Sequence, residues 1–332
     1  MVFALIALSI GFGLANGVHD AGNAIAAPIV TRALRATPAL VLAAVAHVLG
    51  AVVAGTAVAA TVASIVSVPA QDLTAVLGAA LVGALVWSLV TLWRGLPCSS
   101  GHCVVGALAG AALADGGARA VDWGGLQGFR PTGVVGSLVW LVFSTGVSLP
   151  LALLGIRAAR RWLRRAPRSV VTPIRRSQVV TTALLSFAHG SNDAQKTMGL
   201  LVLSLVAGGR LASFSVPLWV VLTAAAALTL GTTLGGWRVV RTLGRGIYPL
   251  RSLEGLVSQG AASAIVLVAS LVGAPVSTTD VVAPAVVGVG AGQRWHHVRW
   301  VVVGEIGLAW LVTLPVSAAL AALALPVWKA IA

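Results

Sequence analysis

Hydrophobic residues run along this chain in long unbroken blocks rather than in alternation. The blocks fall at roughly 39–67, 73–95, 133–156, 216–240, 252–274 and 300–326, each at or beyond the ~20 residues that an α-helix needs to cross a bilayer. An outer-membrane strand would alternate apolar and polar positions. These blocks do not, so the pattern predicts membrane-spanning helices. The segment from Phe3 to Leu14 is apolar without a preceding basic stretch and leads into an Asn/His/Asp cluster instead of a cleavage site, so it reads as a first span.

Composition agrees: 58% of the 332 residues are hydrophobic and 9% charged, too few polar side chains to cover a water-soluble globule. The net charge of +14 gains its meaning from placement. Basic residues gather at the ends of the apolar blocks, most densely at Arg157, Arg160, Arg161, Arg164, Arg165, Arg168, Arg175 and Arg176 around Pro167 and Pro173. This distribution orients a membrane protein and does not describe a nucleic-acid surface. With the cluster on the cytoplasmic side, ten crossings follow: 1–36, 39–67, 73–95, 96–117, 133–156, 178–206, 216–240, 252–274, 275–293 and 300–326. Arg32, Arg35, Arg94, Arg238, Arg241, Arg245, Arg251, Arg294 and Arg299 then face inward. Asp72, Asp115, Asp122, Arg119, Arg130, Arg210 and Lys329 face outward. The expected location is the cytoplasmic (inner) membrane, lipid being the surrounding partner and both termini external.

The chain also echoes itself. Asn16-Gly17-Val18-His19-Asp20-Ala21-Gly22-Asn23 returns as His189-Gly190-Ser191-Asn192-Asp193-Ala194-Gln195-Lys196. Gly95-Leu96-Pro97-Cys98-Ser99-Ser100-Gly101-His102 returns, in the same order, as Gly273-Ala274-Pro275-Val276-Ser277-Thr278-Thr279-Asp280. Residues 1–156 and 178–332 are therefore expected to be two copies, with 157–177 as a cytoplasmic connector. Five crossings per copy is odd, so the second copy is inverted. Inverted repeats whose broken helices or re-entrant hairpins meet at the midplane are a plan of secondary transporters.

Four of the eight acids, Asp20, Asp193, Asp280 and Glu305, fall inside apolar segments, where a charge costs several kcal/mol and marks function more often than structure. Glu305 is equally well explained as an interhelical contact. Gly17, Gly22, Gly190 and Gly199 are expected to interrupt their helices and turn carbonyls inward, so that Asn and Asp side chains beside them offer oxygen ligands to a cation or proton. Pro97 and Pro275 suit helix starts, and Ser99, Ser100, Ser277, Thr278 and Thr279 follow in a first turn whose free N–H groups attract anions. Lys196 reads either as the ion-pair partner of Asp193 or as an anion ligand. His47 and His102 stand in apolar surroundings as candidate proton-relay groups. Cys98 and Cys103 suggest neither a disulfide framework nor a zinc site, and no phosphate-binding Gly-rich loop ending in Gly-Lys-Ser/Thr is present, which favours coupling to an ion gradient over ATP hydrolysis. Ser99 or Ser100 beside His102 raises an intramembrane hydrolase as an alternative, weakened because neighbouring helical residues do not face one another and the second copy has Asp280 in place of His.

The paired Asn/His-Asp segments and paired Pro-x-Ser segments together resemble the inorganic phosphate transporter (PiT) family, and Trp310-Leu311-Val312-Thr313-Leu314-Pro315 is similar to its last span. The likeness covers nearly the whole chain in the correct order. It implies an all-α symporter of inorganic phosphate working by alternating access. Asp20, Asn23, Asn192 and Asp193 match the family's signature segments, and Ser99, Ser100, Ser277, Thr278 and Thr279 its substrate-binding hairpins. Several positions depart from the pattern: His19 stands where the family usually has Asn, Gly101 where it often has a hydroxyl residue, and Asp280 where it usually has His. His47 and Gln259 replace glutamates of sodium-coupled members. Residues 189–196 resemble the bacterial proton-coupled Pit subgroup, whose substrate is a neutral metal–phosphate complex. The expectation is therefore a proton-coupled carrier, sodium being the alternative ion, without catalytic residue or cofactor. Asp20, Asp193, His47, His102 and Asp280 serve ion coupling, and the hydroxyls with Asn23, Asn192 and Lys196 bind substrate. Metal ligands are unassigned, self-association is open, and sulfate, also a tetrahedral oxyanion, is the alternative substrate.

Overall fold

The apolar blocks become helices. A computed structural model describes residues 1–235 and 237–331; the side chains of Arg168 and Arg238, both assigned above to the inner face, lie outside the described residues, as does that of Trp237. The helices are α1 Val2–Val30, α2 Ala36–Val53, α3 Ala57–Ala63, α4 Ala70–Arg94, α5 Ser100–Gly116, α6 Gly133–Trp162, α7 Val171–Ala207, α8 Leu218–Leu234, α9 Trp237–Arg241, α10 Ser252–Val272, α11 Thr278–Arg294 and α12 Trp300–Ile331. Among the described residues six of them, α1, α2, α4, α6, α10 and α12, are long and apolar enough to cross a membrane, with a seventh if α8 is joined to Val239–Gly246 across a 74° bend. The chain is thus a multi-pass membrane protein. α7, at 37 residues, is long enough but too polar on its own; its His, Asn, Asp, Gln and Lys are buried by the other helices.

Several boundaries differ from expectation. The block 39–67 is interrupted at 54–56, where Gly55 takes φ +77° and separates α2 from α3. α1 stops at Val30, and Arg32 turns the chain with φ +57°. The last connector residues, 171–177, belong to α7. A two-stranded hairpin, β1 Gly125–Gln127 with β2 Arg130–Thr132, departs from a purely helical fold, and Gly128 at φ +65° makes its tight turn.

The largest correction concerns the glycines. α1 and α7 run without a break through Gly17, Gly22, Gly190 and Gly199. Two of these positions serve close packing instead. A Cβ on Gly190 would lie 2.1 Å from the His47 carbonyl oxygen, and one on Gly50 would lie 2.1 Å from that of Phe187. Gly17 and Gly231 do the same between α1 and α8, against Leu228 at 2.1 Å and Leu14 at 2.2 Å. Small residues let membrane helices approach backbone to backbone, and dispersion over that short distance holds them.

α4 and α5 form one helical hairpin across the turn 95–99, and α10 with α11 form another across 273–277. α12 packs on α4 and α5, while α6 packs on α10 and α11. α1 lies against α8, and α7 against α2. This interleaving brings the turns of both hairpins to the buried middles of α1 and α7.

Candidate functional site

Asp20 and Asp193 face each other across the ring of His189, and all three are fully buried. The Asp20 Oδ2 and Asp193 Oδ2 atoms lie 3.6 and 3.5 Å from His189 Nε2, without hydrogen-bond partners. His189 precedes Asp193 by four positions on α7, the spacing that puts two side chains on one helical face. Behind it, His189 Nδ1 and His47 Nε2 share a hydrogen bond of 2.9 Å. One oxygen of Asp20, one of Asp193 and a ring nitrogen of His189 all lie within 4.8 Å of one another. Two carboxylates and an imidazole nitrogen so close can hold a cation between them, or a proton on the ring, and the two occupants exclude each other.

The other carboxylate oxygens are tied to the hairpin turns. Asp20 Oδ1 accepts from Asn23 Nδ2 at 2.7 Å and from Thr279 Oγ1 at 2.7 Å. Asn23 Nδ2 also reaches Thr278 Oγ1 and Thr279 Oγ1, each at 3.0 Å. Asp193 Oδ1 accepts from Lys196 Nζ at 2.5 Å and Ser100 Oγ at 3.1 Å, and Lys196 Nζ donates to Ser100 Oγ at 2.9 Å. Lys196 is thus the ion-pair partner of Asp193 while standing beside a hydroxyl at the start of α5.

Ser99 caps α5 by accepting from the His102 N–H at 3.3 Å, and Ser277 occupies the same place before α11 with its hydroxyl unpaired. Hydroxyls gathered at two helix N-termini are donors of the kind that oxyanions accept. Asp280 reaches across from α11: its Oδ2 accepts from Ser99 Oγ at 2.6 Å and lies 3.2 Å from His102 Nδ1. Ser99 and His102 do meet, their Oγ and Nδ1 at 2.6 Å, against the expectation that they could not face. The N-cap spacing of three residues brings them together. The Ser99 hydroxyl donates its hydrogen bond to Asp280 and not to His102, so the nucleophile–base pair a hydrolase needs is not formed.

Asn192 braces the second hairpin, donating to Ser270 Oγ at 3.2 Å and to the Ala274 carbonyl at 2.9 Å, while its buried Oδ1 has no partner. His19, its counterpart in the echo, contacts the Ser88 carbonyl of α4 at 2.7 Å. Gln259 bridges α10 to α1 and α7, donating to the Ala24 carbonyl at 3.1 Å and accepting from Thr181 at 3.1 Å. Glu305 is exposed on α12 beside Trp87, Leu96 and Leu308, so it is neither buried nor at the site. His189 lies outside the candidate residues that the sequence marks. Its four-residue spacing to Asp193, and its place opposite Asn16 in the echo, were the available signals.

Comparison with known proteins places the chain among its relatives. The phosphate transporter family matches residues 16–173 and 157–321. A Rhizobium meliloti protein named "Probable low-affinity inorganic phosphate transporter" is 39% identical over 97% of this chain and 95% of that relative. A Bacillus subtilis protein of the same name is 34% identical over 98% and 96%. The fold is similar, with a TM-score of 0.85 over 100% of this chain and 99% of the other at 24% identity, to a solved structure described as "The sodium-dependent phosphate transporter". By that family match and these identities, this chain belongs to the phosphate transporter family.

Proposed function

We propose that this chain carries inorganic phosphate across the cytoplasmic membrane as a proton-coupled symporter. The observation that carries the reading is the division of labour within two carboxylates. One oxygen of Asp20 and one of Asp193 point at His189 and await a cation, while the other oxygen of each is held by hydroxyls at a hairpin N-terminus suited to an oxyanion. Cation and anion sites that share side chains couple their occupancies, because filling one changes the field at the other. Ser99, Ser100, Ser277, Thr278, Thr279, Asn23 and Lys196 bind phosphate in this reading, Asn192 supports the second hairpin, and a divalent ion can accompany the substrate as a neutral complex.

Residues 1–156 and 178–332 act as inverted repeats in this proposal, joined by the basic connector. Several correspondences support it. The last helix of each half packs on the hairpin of the other, and the glycine contacts of α7 with α2 are repeated between α1 and α8. α5 and α11, 17 residues each, are the return arms of hairpins entering from opposite faces in a ten-segment topology with external termini. Substrate reaches the fully buried site only when the halves rock, as alternating access requires.

The test is uptake of labelled phosphate into proteoliposomes, with sulfate as competitor and the pH and sodium gradients imposed separately. We expect entry into sodium-free vesicles that rises with an inward proton gradient and collapses with a protonophore. Entry that appears only with sodium overturns the proton assignment, and preferential entry of sulfate overturns the substrate.

A further inference from the structure

Asp280 is the third residue of α11 and fully buried. Its carboxylate is seated on Ser99, the N-cap of α5, the position that a helix N-terminus offers to an anion. The second oxygen, Oδ1, is buried without a hydrogen-bond partner, and so is the hydroxyl of Ser277 that caps α11 itself. One cradle is therefore filled by a side chain of the protein while the other keeps an unused donor.

Resting on the phosphate-symport reading, we infer that Asp280 and His102 are where the coupling proton is bound, and that a proton on Asp280 is the condition for the oxyanion to enter. Two anionic oxygens at hydrogen-bond distance in a buried site do not both stay ionised. With a proton, Asp280 changes from a repelling acceptor into an O–H donor to phosphate, and the Ser99 hydroxyl is released to do the same. His102 is the route for the proton: its side chain is 17% exposed where Asp280 has no exposure, and its Nδ1 touches the carboxylate. Loss of the proton on the other side of the membrane restores the Ser99–Asp280 bond and expels the anion.

The other charged groups around α11 leave this pair in control. α5 brings His102, and α1 brings Asp20, which is bonded to Thr279 next door. The buried residues of α6 include no ionisable side chain, and its Arg160 meets Gln293 and Glu254 at the far end of α11. On α10 the acid is Glu254, which binds Gln293 near the far end of α11, where the exposed His296 and His297 also follow. Asp193, His189 and Lys196 lie behind Ser100.

The test uses the full chain in proteoliposomes at a fixed concentration of phosphate monoanion. Two rates are compared, exchange of labelled phosphate without a gradient and accumulation driven by a pH step. For Asp280→Asn we expect the ratio of driven accumulation to exchange to fall to its value without a step, and for His102→Gln a displaced pH profile. Accumulation by Asp280→Asn that still follows the pH step overturns the inference. If that variant exchanges nothing, Asp280→His, which keeps a titratable side chain there, is read instead: a displaced pH profile supports the assignment and an unaltered one overturns it. Absence of phosphate exchange by the unmodified chain would overturn the substrate reading, a separate outcome.

Discussion

Asn23 and Lys196 hold the same place in the two echoed segments and make the same contact, Asn23 Nδ2 with Thr278 Oγ1 at 3.0 Å and Lys196 Nζ with Ser100 Oγ at 2.9 Å. Thr278 and Ser100 are themselves at matching places. The two halves thus build one joint twice, with a neutral amide on one side and a cation on the other. The charge difference falls on Asp193, which has a salt-bridge partner where Asp20 has an amide.

This asymmetry predicts that Lys196→Gln is strongly destabilising, since removing one partner of a buried pair leaves an uncompensated charge and costs about 3–5 kcal/mol. Thermal unfolding in detergent should show a lowered Tm. The double variant with Asp193→Asn should recover most of the loss, and a double variant as unstable as the sum of the singles would deny the pairing.

Asp20→Asn and Asp193→Asn should each abolish gradient-driven phosphate uptake while membrane insertion stays intact. Asn preserves the volume but removes the charge that faces His189. Proteoliposome uptake alongside a measure of inserted protein checks this, and full transport by both would reduce the aspartates to structural roles.

Replacing hydroxyls at the hairpin starts should weaken the anion site. Hydrogen bonds to charged groups are worth ~1.5–3 kcal/mol each, so Ser99→Ala with Ser100→Ala, or Thr278→Val with Thr279→Val, should raise the apparent Kd for phosphate by tens-fold or more. Binding measured on purified protein decides it; unchanged binding would move the site elsewhere.

Gly190→Ala should push α7 away from α2, because its new methyl meets the His47 carbonyl oxygen at 2.1 Å, and with it stretch the His47–His189 hydrogen bond. We expect reduced thermal stability together with reduced uptake. Gly260→Ala is the control, since nothing lies within 4 Å of a Cβ there, and equal damage from both would refute the packing role.

Much was legible along the chain because its physics is local. Long apolar blocks specify helices in lipid whatever their neighbours. Asp20 and Asp193 declared themselves because a charge inside such a block needs a reason, and Pro97 and Pro275 ahead of hydroxyl residues marked two helix starts. Only the tertiary structure decided what depends on partners far apart in sequence. Gly17 and Gly190 looked like breaks, but their helices continue, since a missing Cβ serves a close crossing as readily as a turn and only the facing helix tells which. His189 is the centre of the site through contacts with Asp20 and His47, some 140 to 170 positions away. Glu305 counted as an intramembrane acid by position, yet which side of α12 faces the surroundings is settled by what α12 packs on. The meeting of Asp280 with Ser99 and His102 joins residues that no local pattern pairs, because it exists only where two hairpins from different halves bring their first turns together.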